Sequence, residues 1–323
     1  MSTLIMAAHI TFPESRGRKE FELHRVSSVR IESSWKDFTD RAEITLPRNV
    51  RNLNQFKYED IFKIGDPIII KLGYGTGELP VEFEGYLSDV SEGIPVTLRC
   101  EDEMFKLKRG NVSVSSAKIT LKELLQKIAP GYEIDCPDAN LGAVRHANMA
   151  PIKILEDLKK EVGFHSYFDG KMLRCGVIYA DQSEEKPVKI LLEKNAVSEN
   201  LNKKTQSDEI VTIKAISLLK NGRKLEIEVG DKNGTSFQRT YIGIEIKAEL
   251  EKQAKQDLEK YKTRGFDGSV TLFGTPRVRH GMKMDLKSEF YKNMEGLFYI
   301  EKVVKTFDEG GYRQEVTLGD KAI

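Results

Sequence analysis

Between Val29 and Cys100 the chain alternates apolar and polar residues with a period of two and meets a turn every few residues, which fits strands and not helices. Ala42, Ile44 and Leu46 alternate with Arg41, Glu43 and Thr45 until Pro47 ends the run, since proline cannot donate to a sheet ladder. Gly65-Asp66-Pro67 opens the β-branched run Ile68-Ile69-Ile70, which continues through Leu72 to the glycines Gly73, Gly75 and Gly77. Val81 to Val90 reads as the next strand, and Pro95 to Cys100 as another after the turn Ser91-Glu92-Gly93. Strands joined this closely, with no helix between them, predict an antiparallel barrel or sandwich.

The period changes at Thr120. Thr120-Leu121-Lys122-Glu123 has capping-box spacing, and Leu121, Leu124, Leu125 and Ile128 recur at helical intervals up to Pro130-Gly131. A second helix is expected from Pro151, burying Leu155, Leu158 and Val162 and ending at Gly163. Asp169-Gly170 then predicts a tight hairpin between Phe164–Phe168 and Lys171–Tyr179. Strands return from Lys189 to Val229, with Asn221-Gly222 as the turn between Ile210–Leu219 and Lys224–Val229. One long helix, Glu245 to Tyr261, carries Ile246, Leu250, Ala254 and Leu258 on a narrow stripe, with Glu251 and Lys255 paired outside. After Gly265 the chain reads as strands through Ser269–Phe273, Met282–Leu286, Leu297–Phe307 and Tyr312–Leu318.

A chain of 323 residues exceeds what one core usually fills, so two or more are expected. Fifty-one basic against 50 acidic residues leave a net charge of +1, which provides no global field for nucleic acid or an acidic surface. Cys100, Cys136 and Cys175 are too widely spaced for a zinc site or a disulfide framework and read as reduced, partly buried thiols. Met1 to Phe12 lacks the features of a signal peptide, and charges interrupt every apolar run before the roughly 20 residues that span a bilayer. A cytoplasmically made protein without stable membrane association is the expectation.

An order of features occurs twice. Gly65, a strand, Glu84-Gly85, a second strand, Glu92-Gly93, Val96-Thr97-Leu98 and Glu101-Asp102 find counterparts in Gly281, Glu295-Gly296, Glu309-Gly310, Val316-Thr317-Leu318 and Gly319-Asp320. A true duplication predicts that Gly65–Cys100 superposes on Gly281–Leu318, the strand after Glu84-Gly85 matching that after Glu295-Gly296. Thr120–Tyr179 and the helix Glu245–Tyr261 should then lie outside the shared core. Different topologies, or pairing in one undivided sheet, would instead make the repeat an accident of turn composition.

Several phrases together resemble the baseplate hub family of contractile phage tails, the late control protein D family, whose fold is shared with the first part of type VI secretion spike proteins. They are Asp40 to Pro47, GDPIIIKLGYG from Gly65 to Gly75, EFEGYLSDV from Glu82 to Val90, LRCEDEMFKLKR from Leu98 to Arg109 and ILEDLKKEVGF with its hairpin, Ile154 to Cys175. GSVTLFGTPRVRHGMKMDL from Gly268 to Leu286 and the closing GLFYIEKVVKTFDEGGYRQEVTL complete the set. The resemblance implies a mainly β fold with an α/β insert: two similar antiparallel β-barrel tube domains, a helix-hairpin insert and one long surface helix. Its expected division is 1–112 for the first barrel, 113–180 for the insert, and 181–323 for the second barrel carrying helix 245–262. It implies a homotrimeric ring between a six-fold tail tube and a three-fold spike, located in the tail baseplate of a phage or tail-like particle. The expected partners are a separate spike protein, since the chain runs only to Ile323, the tail tube, other baseplate proteins and the tape-measure protein, with DNA only as passing cargo.

No catalytic, cofactor or metal residue is expected. Glu101, Asp102 and Glu103 are the tightest acidic cluster, but neighbouring positions point different ways and Trp35 is the sole tryptophan, so a solvated turn is the reading preferred to a glycosidase pair. His9, His24, His146, His165 and His280 are scattered, with no paired helical spacing and no cysteine partner, so no metal site is predicted. Gly73-Tyr74-Gly75-Thr76-Gly77 lacks the Lys-Ser/Thr of a phosphate loop and reads as a hairpin turn. Lys106, Lys108 and Arg109 read as a solvated edge. Two other functions stay open at this level: a tail-associated cell-wall hydrolase, which zymography would reveal, and a barrel-type nucleic-acid-binding module, which a salt-dependent gel shift would report.

Overall fold

The computed structural model describes residues 5–47, 61–75, 77–91, 93–178, 186–203, 210–262, 266–292 and 295–322. Thr76, Glu92, Tyr179 and Gly265, which bound turns and segments above, lie outside the described residues, as do Met1 and Ile323.

The first part consists of β1 (Met6–Phe12), β2 (Phe21–Leu23), β3 (Ser28–Ser34), β4 (Arg41–Thr45), β5 (Pro67–Tyr74), β6 (Val81–Ser91) and β7 (Thr97–Glu101). Ile68, Ile70 and Leu72 of β5 and Ala42 and Ile44 of β4 point into one core, as their alternation predicts. Ala8, Ile10 and Phe12 place β1 on the same core. Their alternation is present in the sequence, where the segment is considered above only as a signal peptide and not as a strand.

Next come α1 (Met104–Leu107), β8 (Val112–Thr120), α2 (Leu121–Ile128), β9 (Glu133–Asp135), β10 (Asn140–Met149), α3 (Pro151–Val162), β11 (His165–Asp169) and β12 (Met172–Gly176). The capping box forms: Thr120 Oγ1 accepts from the Glu123 amide at 3.3 Å and Glu123 accepts from the Thr120 amide at 2.9 Å. Pro151 opens α3, and Gly163 closes it with a φ of +68° that glycine adopts without strain. These elements share a separate core that reaches back to Met104 and Leu107.

The last part begins with β13 (Val188–Leu191), α4 (Leu192–Asn195) and β14 (Ala196–Lys203). It continues through β15 (Val211–Leu218), β16 (Lys224–Gly230), β17 (Thr235–Ile242) and α5 (Lys247–Lys262), and ends with β18 (Phe266–Phe273), β19 (Lys283–Lys287), β20 (Gly296–Asp308) and β21 (Gly311–Lys321). The strands 210–219 and 224–229, read in the sequence with the second barrel, form β15 and β16 of a separate sheet ordered β16-β15-β17. That sheet packs on Leu250, Ala254 and Leu258 of α5 in its own core. Ile246, expected on the α5 stripe, precedes the helix and is exposed; its carbonyl accepts from the amides of Glu249 and Leu250, so it serves the helix start through its backbone. The expected Glu251–Lys255 pair is present at 2.7 Å.

The remaining strands form one hydrogen-bonded sheet ordered β14-β18-β21-β20-β3-β4-β7-β6-β5-β1-β2, with β19 on β20 and β13 on β19. Two sets of six share one order within it. Ranked along the chain, β1 and β3 to β7 are arranged 2-3-6-5-4-1, and so are β13, β14 and β18 to β21. All pairs are antiparallel except β13 with β19, which is parallel where β1 with β5 is antiparallel. The turn landmarks behave differently. Gly85 lies inside β6 opposite Ile68 near the start of β5, whereas Gly296 opens β20 opposite Leu286 near the end of β19. The two sets are also joined, because the second half of β20 pairs with β3, Lys302 opposite Ser34 through Phe307 opposite Val29. The Glu-Gly landmarks therefore fail as markers of equivalence, and the undivided sheet is the outcome set against duplication above. What recurs is strand order, with each set retaining its own core. The insert and α5 belong to neither of these cores.

Candidate functional site

Where the first β set, the insert and the second β set meet, they enclose a cavity of about 370 Å³ lined by charged side chains from all three. Glu82 of β6 and Lys305 of β20 form an ion pair inside it, their side chains only 1% and 5% exposed. Arg277 completes the cluster, its Nε 3.1 Å from Glu82 and its Nη2 donating to the Val81 carbonyl. Burial pushes the Lys305 ammonium below its ordinary range while the Glu82 charge opposes that shift. On the insert side Asp169 accepts from Arg279 at 3.1 Å, and Tyr167 meets the His280 ring edge-on at 4.8 Å. Trp35 packs edge-on against both Tyr167 and Tyr299, so one aromatic cluster spans the same three units.

The acidic triplet expected as a solvated turn is not solvated at two of its three positions. Asp102 and Glu103 are only 6% and 7% exposed. Asp102 accepts from the amides of Asp40 and Met104 at 3.2 and 3.0 Å, whereas Glu103 accepts from Tyr86 at 2.9 Å and Tyr132 at 2.5 Å. Glu101 pairs with Lys108 at 2.8 Å. The cluster ties the start of α1 to β6 and to the insert, and its neighbour Asp40 lies 62 residues earlier in the chain. An adjacent-residue argument misses this because burial is imposed by distant chain. Replacing these three acids by amides therefore perturbs packing and is not a clean test for catalysis.

Lys106 lies over the Tyr86 ring and pairs with Glu103, and Arg109 covers Phe105; both remain exposed, as a solvated edge requires. Gly73 and Tyr74 close β5, whereas Gly75, at a φ of +90°, and Gly77 lie in the connection to its paired neighbour β6. Cys100 and Cys175 are buried and Cys136 is half-buried; all three are free thiols. The histidines are not uniformly scattered. His9 and His24 face each other beside Glu22, because β1 and β2 bring together residues separated by a long connection. His146 lies 3.8 Å from Asp157, and His165 and His280 are half-buried, with Nδ1 of His165 and both ring nitrogens of His280 shielded from solvent.

Burial pushes the His280 imidazole down to about 4 and the Asp102 carboxyl up to about 7; Asp40 is raised as well, by burial and by the Asp102 charge. An imidazole near 4 in the fold and near 6.5 when unfolded takes up its proton on unfolding between those values. Its stabilising share is complete above pH 6.5 and is lost as pH falls toward 4. A raised carboxyl acts in the opposite sense: its share is complete below the ordinary carboxylate value and is lost as pH rises toward 7. The two trends offset each other in the wild type. His280→Asn removes one of them, so its stability relative to wild type is expected to rise by on the order of 2–3 kcal/mol from pH 7 to pH 4. Urea unfolding across that range checks this; parallel profiles for the two proteins would rule out a buried neutral His280.

No family model matches the sequence, and no curated protein sequence does. Solved structures do match. A tail protein from Neisseria meningitidis aligns at a TM-score of 0.67 and 15% identity, covering 98% of this chain and 97% of that one. The fold is that of phage tail proteins. A 43 kDa tail protein of the Shewanella oneidensis prophage MuSo2 aligns at 0.62 and 15% identity over 98% of this chain and 97% of its own. An Escherichia coli type VI secretion component, described as structurally similar to the T4 bacteriophage tail proteins gp27 and gp5, aligns at 0.58 and 9% identity over 92% of this chain and 74% of that one. The tail-protein fold shared with type VI secretion components agrees with the expectation of a baseplate hub fold. Among the described residues no helix is long and apolar enough to cross a membrane.

Proposed function

We propose that this chain is a structural baseplate hub of a contractile phage tail or tail-like injection particle, acting as a trimeric ring between a six-fold tube and a three-fold spike. The observation that carries the reading is the strand order 2-3-6-5-4-1 occurring twice in one chain. A six-fold tube ends in six equivalent binding positions and a three-fold spike in three. Three copies of a chain with two alike β sets present six similar units upward while keeping three-fold symmetry below. The proposed division places these units in 1–112 and 181–323, separated by the α/β insert 113–180, with 210–262 as a second excursion from the later unit. The buried clusters at the junction suit such a ring, since Glu82, Lys305, Asp102 and Glu103 hold the units in a fixed relation and present no exposed nucleophile or base. On this reading the chain is not an enzyme, its partners are the tube, a spike and other baseplate proteins, and DNA passes through as cargo.

Light scattering on purified protein, alone and with the spike of the same particle, is expected to give three chains per assembly in at least one condition. A strict monomer at high concentration in both conditions would overturn the reading.

A further inference from the structure

The β1–β2 hairpin carries a donor set that the junction and the ring do not use. Ile10 and Phe12 of β1 point into the first core, and Phe21 and Leu23 of β2 pack against it. The pleat therefore turns His9 and Thr11, and Glu22 and His24, to the opposite face. Pairing of Ile10 with Leu23 and Thr11 with Glu22 sets His9 across from His24, with Glu22 diagonal to His9. The two rings meet edge-on with centroids 4.7 Å apart. His9 Nδ1 lies 3.3 Å from Glu22 Oε1, and His24 Nε2 lies 3.4 Å from Glu22 Oε2. The candidate ligand atoms all fall within 4.8 Å of one another.

We propose that His9, Glu22 and His24 bind a divalent transition-metal ion of the zinc class. Imidazole nitrogens and carboxylate oxygens sit about 2.0–2.2 Å from zinc, and donors at that distance in a tetrahedron are roughly 3.3–3.5 Å apart. Each imidazole nitrogen already has that spacing to one of the two Glu22 oxygens, and side-chain rotations that bring both nitrogens toward a common oxygen let an ion enter. Two imidazoles with one carboxylate suit zinc, nickel or copper, whereas magnesium and calcium take oxygen ligands. Three protein donors leave a fourth position for water. The partly exposed side chains leave the hairpin face accessible to the ion. The site would have a structural consequence. β2 is three residues long and, among the described residues, pairs with β1 alone at the end of the large sheet, so a metal held from both strands fixes an edge that otherwise rests on a few hydrogen bonds.

Calorimetric titration with zinc chloride at neutral pH tests this, using the full chain with Cys136→Ser so that the half-buried thiol does not compete. One zinc per chain is expected, with a zinc-dependent rise in Tm that follows mass action. His9→Gln and His24→Gln should each weaken binding roughly tenfold or more, since each removes one of three ligands. His146→Gln should leave it unchanged, and magnesium should not compete. These side chains face away from the core, so the variants are expected to fold, and circular dichroism checks this. If either glutamine variant unfolds, Glu22→Gln takes its place, with a loss of affinity expected. Equal zinc binding by wild type and the His9→Gln/His24→Gln double variant would overturn the site, as would the absence of binding by wild type.

Discussion

Glu82→Gln is expected to destabilise the fold by about 3–5 kcal/mol, the cost of leaving a buried charge without its partner. Lys305 is the group left behind. Its side chain is 5% exposed, Glu82 is the acid paired with it, and the other nearby charges that act on it include the cations Arg277 and Arg279. Without the carboxylate the ammonium must lose its proton or draw water into the junction, and either weakens the contact between β6 and β20. Lys305→Met should cost less, because Glu82 keeps its bond to Arg277 Nε at 3.1 Å and methionine fills much of the lysine volume. Urea unfolding of both variants measures the asymmetry. Equal losses, or a loss below about 1 kcal/mol for Glu82→Gln, would mean that this ion pair does not hold the two β sets together.

Tyr312→Ala is expected to cost a similar 3–5 kcal/mol, through a cavity. Tyr312 sits on β21, yet its side chain is fully buried in the core of the first β set, with ring contacts to Tyr74 and Phe307. The Tyr74 hydroxyl donates to the Tyr312 carbonyl at 3.1 Å and accepts from the Gly274 amide at 3.3 Å, so the two sets are clasped from both directions. Gly274 makes room for the ring: a Cβ there would lie 2.0 Å from Tyr312 Cδ1. Gly274→Ala should therefore be destabilising in the wild type and much less so when combined with Tyr312→Ala. A double-mutant cycle reads this coupling directly, and strict additivity would show that glycine is not required by the ring.

Much of the local structure was legible because its causes are local. Period-two alternation placed β4 and β5, the Thr120 and Glu123 spacing placed the start of α2, and Asp169-Gly170 and Asn221-Gly222 placed two hairpins. Such signals act over a handful of residues through backbone preference and side-chain direction. Ile246 shows where they weaken, since helical spacing alone cannot say whether a stripe residue lies inside the helix or one step before it. The Glu-Gly landmarks show the same limit, because a turn dipeptide carries no record of which strand it will face.

What the sequence by itself determined was the β-rich character, the helix-bearing insert and the positions of most turns. Tertiary structure alone decided the repeated strand order, the seam between β3 and β20, the burial of Asp102 and Glu103, and the meeting of His9 with His24. Each depends on contacts between distant positions, as with Glu82 and Lys305, which are 223 residues apart. Nothing in a residue's immediate neighbours specifies such a partner, and a charge that looks solvated in sequence becomes buried only when another segment closes over it.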